Sequence, residues 1–244
     1  MKMKEATDLG RDVSELVNAG RVQQAYALLE PVLAARTPFP ISGRIGEIVG
    51  AGPVHWVHPF LERVAAGRTQ GGWVVIGGAL GAQLDRDPGG ALARCRGFVI
   101  EADVWYATDI LGERVPGPAL LLDLSATLDR LAKWREDPNR WVRRTLGVAV
   151  HFWAKRSRGD GAREPEAAAL LAFLEPLFSE WDIDAVKGIG WGLKTLGRYY
   201  PDLVADWLRE QVVVEGRRHR ALMARKAVTY LPQHLRDRGL GTGR

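Results

Sequence analysis

One period dominates this sequence. Apolar residues recur at the i, i+3, i+4, i+7 spacing of a helix face, and no segment shows the strict alternation of a half-buried strand. Residues 183–199 carry it most clearly: Val186, Ile189, Leu193 and Leu196 fall on one stripe, while Lys187, Trp191, Lys194 and Arg198 form a column on nearly the opposite side. A chain built this way must fold by laying helix against helix.

Breaks between periodic segments fall at Gly, Pro and Asp clusters such as Asp87-Pro88-Gly89-Gly90, Pro116-Gly117-Pro118, Asp137-Pro138-Asn139 and Tyr200-Pro201-Asp202, each suited to ending one helix and starting the next. The expected helices span about 5–18, 20–36, 56–67, 72–84, 89–101, 103–113, 117–134, 138–156, 165–179, 183–199, 201–214 and 217–231. The stretch 37–55 has no regular pattern, and Arg156 to Glu164 reads as a mobile loop or a phosphate contact. The segments opening at Trp73, Trp141 and Ala185 share a register. Ala185 follows Trp141 at a distance within the ~40–47 residue period of HEAT and armadillo units. The expected fold is therefore all-α: one α-α superhelix of HEAT-like repeats over residues 1–244, with 1–55 as an N-terminal cap, 56–232 as core repeats and 233–244 as a C-terminal tail.

Composition narrows the partners. Lys and Arg number 34 against 29 Asp and Glu, a net charge of +5, which favours a polyanion. The single cysteine, Cys95, excludes an internal disulfide framework and a cysteine-rich metal site. The histidines show no metal-binding spacing, there is neither a phosphate-cradling glycine loop nor a dinucleotide fingerprint, and no cofactor is expected. No apolar run reaches the length of a signal peptide core or a membrane span, so the expectation is a protein of the cytoplasm; it is also expected to be a monomer.

Helix phase then singles out residues. An aromatic plane among cations, as at Trp191 between Lys187, Lys194 and Arg198, suits a nucleotide or a sugar. In DVWYATDILG, Val104, Ala107, Ile110 and Leu111 take the core side, while Trp105 and Asp109 stack one turn apart on the other. In 138–156, Val148, Ala149 and Phe152 are expected inward and Arg144, His151 and Lys155 outward. A carboxylate on a basic surface repels phosphate, so Asp109 points either to chemistry or to pairing with Arg144. Arg217, Arg218, Arg220, Arg225 and Lys226 make a dense basic run, read as a solvated face or a phosphate contact.

With these residues in hand, the chain over about 70–232 resembles the DNA alkylation repair enzymes of the AlkD type, HEAT-like-repeat glycosylases acting on alkylated purines. VKGIGWGLKTLGRYYPDLVADWL at 186–208 is similar to the helix bearing that family's second site tryptophan, here Trp191. Trp105, four positions before Asp109, matches its earlier motif. Trp141-Val142-Arg143-Arg144 is similar to the stretch holding its phosphate-contacting arginine, with Arg144 the preferred match. The resemblance implies a glycosylase for positively charged N3- or N7-alkylated purines in double-stranded DNA. Its catalytic residues would be Asp109, Trp105 and Trp191, with Arg143, Arg144, Lys155, Lys187, Lys194, Arg198, Arg218 and Arg225 on DNA. It also implies a shallow cleft that reads the lesion from the backbone side. The alternative is a non-catalytic HEAT-repeat scaffold for DNA or protein.

Overall fold

The computed structural model describes residues 1–242, which divide into two compact units, the first Met1–Val115 and the second beginning at Pro116. The described residues are helical with no strand, as the period requires.

The first unit contains α1 (Met3–Asn18), α2 (Val22–Ala34), α3 (Phe39–Gly50), α4 (Val54–Ala66), α5 (Gln70–Gly81), α6 (Pro88–Ala102) and α7 (Trp105–Arg114). Alternate helices pack side by side, α1 on α3, α3 on α5 and α5 on α7, while α2 lies against α4 in a second row. That is the two-row arrangement of a helical repeat, in which each unit buries its apolar face against its neighbours. Starts are written locally: the Thr69 hydroxyl accepts from Gly72 N–H, and the Asp87 carboxylate from Gly90 N–H, each satisfying a donor that the first turn leaves open. Asp103, at φ 46°, ends α6 in the left-handed conformation and so releases the chain into α7.

The sequence reading leaves 37–55 unplaced, yet most of it is α3. Its glycines lower helix propensity, but Ile41, Ile45 and Val49 bury one stripe. A Cβ on Gly46 would collide with the Val75 carbonyl oxygen and one on Gly50 with that of Ala79. The glycines that weaken the helix in isolation allow α3 to approach α5.

The second unit contains α8 (Pro116–Leu122), α9 (Leu124–Leu131), α10 (Arg140–Ser157), α11 (Glu164–Leu174), α12 (Ile183–Tyr199), α13 (Pro201–Arg209), α14 (Ala221–Ala227) and α15 (Gln233–Leu240). Again α8, α10, α12 and α14 form one row, and α11, α13 and α15 lie in another. Asn139 caps α10 by accepting from Trp141 N–H at 2.8 Å, and Asp182 caps α12 through Asp184 and Ala185 N–H.

Several boundaries differ from expectation for identifiable reasons. The helix expected over 117–134 is cut at Asp123, whose carboxylate turns to cap α9. The one expected over 217–231 begins only at Ala221, because Arg217 is tied to Glu175 and Glu215. Of the stretch Arg156–Glu164, the ends belong to α10 and α11 and only 158–163 connect them, through a 3-10 turn at Gly161–Arg163, with the Tyr200 hydroxyl donating to the Asp160 carbonyl. The expected tail is largely α15, whose Leu235 is buried with Ala205 and Leu231; its residues 243–244 lie outside the described residues.

Among the described residues, no helix is long and apolar enough to cross a membrane.

Candidate nucleic-acid interface

The centre of the second unit is the α10–α12 pair. Gly147 of α10 faces the Gly188 carbonyl and the Ile189 Cα of α12, while Gly192 faces the Gly147 carbonyl in return, so the two backbones touch without side chains between them. Val186, Ile189, Leu193 and Leu196 are fully buried on the expected core stripe. With that stripe fixed, Lys187 and Arg198 are exposed and Trp191 and Lys194 half-buried, as their phase requires.

The close approach also decides what lies beside Trp191. His151 of α10, expected outward, is 8 % exposed and stacks on the Trp191 indole, with ring centroids 3.8 Å apart and planes at 24°. Its Nδ1 lies 2.7 Å from the Thr195 hydroxyl, which donates at 3.0 Å to the Trp191 carbonyl. Burial, reinforced by the charges of Lys155 and Lys194, pushes the imidazole down to about 4, so it is neutral at physiological pH. Sequence reasoning missed this partnership. Its one local signal is His151 lying one repeat before Thr195, a single turn after Trp191.

Cations gather around this pair. Lys226 of α14 lays its stem over Gly190, where a Cβ would meet the lysine Cβ and Cδ. Its ammonium is held below the usual lysine range by burial and then by Lys194, Arg144 and Lys187. Like charges that crowd one another this closely are relieved by a polyanion. Lys194 and Arg198 both lie over the ring of Tyr230, at 4.8 Å and 5.2 Å, and Tyr230 is 46 % exposed. The sequence reading did not single out this tyrosine, which falls within the helix expected over 217–231 and lies beyond the end of α14. Lys155 and Arg225 are exposed on α10 and α14.

Two of the arginines expected on DNA also have partners within the fold. Arg144, expected outward, is 6 % exposed; its stem fills the space over Gly188 and its guanidinium donates to the Asp184 carbonyl at 2.9 Å. Arg143 is paired with Glu180 at 2.5 Å and donates to the Asp137 carbonyl, which ties the start of α10 to the segment before α12. Arg218 is exposed and lies 4.7 Å over the ring of Trp181.

In the first unit, α7 bears the other expected site residues. Ala107, Ile110 and Leu111 are buried, which turns Trp105 outward at 57 % exposure and leaves Asp109 half-buried. Val104, expected in the core, is the half-buried residue preceding the helix, and the Trp105 ring meets Tyr106 edge-on at 5.9 Å. An exposed indole one turn from a carboxylate can pack on a sugar or base while the carboxylate answers positive charge.

Comparison with curated proteins and with solved structures returns no match. The model of one family, described as DNA alkylation repair enzyme, matches residues 78–231, more than half the chain. The chain belongs to the DNA alkylation repair enzyme family, and is accordingly a DNA-repair enzyme with DNA as its substrate.

Proposed function

We propose that the protein is a DNA glycosylase that hydrolyses the N-glycosidic bond of positively charged N3- or N7-alkylated purines in double-stranded DNA. The observation that carries this reading is Trp191, a half-buried indole stacked on a neutral imidazole amid Lys187, Lys194 and Arg198, in a chain of the alkylation repair family. The cations answer phosphate. The indole, with no charge on the ring beside it, offers an electron-rich face to a cation, an attraction of roughly 0.5–2 kcal/mol.

The chemistry fits a site with little acid catalysis. Alkylation at N3 or N7 already makes the purine cationic, so the base leaves neutral without being protonated. Positive charge then develops on the sugar as the bond breaks, and a carboxylate stabilises it and orients the attacking water. Asp109 is assigned that role. Trp105 and Trp191 supply aromatic faces to the sugar and base, and Lys155, Lys187, Lys194, Arg198 and Arg225 hold the backbone.

The test is base release from duplexes carrying N3-methyladenine, N7-methylguanine or a bulky N3 adduct. Release of a free purine leaving an abasic site is the expected result. Tight binding with no release from any of the three would leave a non-catalytic scaffold in its place.

A further inference from the structure

The Thr195 hydroxyl owns one hydrogen and stands between two groups, the Trp191 carbonyl at 3.0 Å and the His151 Nδ1 at 2.7 Å. If that hydrogen went to Nδ1, the threonine and carbonyl oxygens would face each other with no proton between them. Given to the carbonyl, it satisfies both contacts, provided Nδ1 carries a hydrogen and donates to Thr195. The geometry points to His151 as the positioning residue for Trp191: an imidazole locked as its Nδ1–H tautomer by Thr195, against which the indole plane is held.

Three features make the unit specific. The ring is parallel to the indole rather than edge-on, so it restrains the tilt of Trp191. The hydroxyl that orients the imidazole is bonded to the backbone of the tryptophan itself, so all three groups move together. An imidazolium in that place would spend the indole's electron-rich face on an internal cation and repel a cationic substrate, and Lys155 on its own helix and Lys194 on α12 oppose that charge. The inference rests on the reading of Trp191 as a substrate-facing residue.

Two independent readouts test it. In nitrogen-15 NMR of histidine-labelled protein, His151 is expected to show the Nδ1–H pattern, with ring protons displaced by the indole. Thr195→Val should shift both signals and Thr195→Ser restore them. In single-turnover base release, His151→Ala should slow the chemical step by roughly tenfold with little change in affinity for undamaged DNA. His151→Phe, which keeps a flat ring, should lose less, and Thr195→Ser should recover what Thr195→Val loses. An Nε2–H tautomer, or a Thr195→Val protein with unaltered His151 signals, overturns the inference whether or not the protein releases bases. So does undiminished release by both His151→Ala and Thr195→Val. Absence of release from the wild type counts against the glycosylase reading, and the NMR result then decides this one alone.

Discussion

His151 and Trp191 lie face to face, 3.8 Å between ring centroids, on two helices whose backbones meet through Gly147 and Gly192. The stack exists because the two backbones meet directly at Gly147 and Gly192, and it sets out where the protein is sensitive to change.

Asp109 is the first point of sensitivity. Asp109→Asn keeps the shape of the side chain and removes its charge, so it is expected to abolish release of 7-methylguanine from methylated DNA while leaving DNA affinity largely intact. Undiminished release would remove Asp109 from the chemistry.

Cations of the second unit should separate into two classes by salt dependence. Lys194→Ala is expected to weaken DNA binding at every sequence and to reduce the slope of log K against log salt by about one contact. Arg143→Ala should instead lower the melting temperature with little change in that slope, since Arg143 is committed to Glu180 and the Asp137 carbonyl. A reduced slope for Arg143→Ala would return it to the interface.

Glycine positions offer a paired test of stability. Gly188→Ala puts a Cβ against the Arg144 side chain and 2.7 Å from its carbonyl oxygen, an overpacking expected to cost about 1–3 kcal/mol. Gly97→Ala, inside α6 with nothing within 4 Å of the new atom, should stabilise by about 0.5–1 kcal/mol. Denaturant unfolding of the two proteins reads both signs.

Acid should act through His151. Its folded-state value of about 4 lies below the ordinary 6.5, because burial and then Lys155 and Lys194 disfavour the charged ring. Between those two values the unfolded chain binds more protons than the folded one, so this contribution to stability is whole above about pH 6.5 and is lost as the pH falls toward 4. Unfolding at pH 7 and pH 5 should show the wild type losing more stability than His151→Phe; equal losses would contradict the assignment.

Much of the fold was legible because periodicity is local. The core stripe of α12 and the outward turn of Trp105 could be read from sequence, as each follows from residues within one helix. Phase misplaced Arg144 and His151, although it treated them by the same rule. It measures direction from a helix axis, whereas both sit on the flank of α10 that α12 covers. Nor could it find Tyr230, which joins Lys194 and Arg198 only once α14 has docked on α12.

The sequence alone determined that this chain is helical, which residues form the stripe beneath Trp191, and which family it belongs to, because each is carried by spacing along one segment. Tertiary structure alone decided that α3 is a helix, that Arg143 and Arg144 have partners within the fold, and that Trp191 rests on His151. A glycine has meaning only against the backbone that comes to touch it, and a cation's task is set by partners some 40 residues away, such as Glu180 for Arg143 and the Asp184 carbonyl for Arg144.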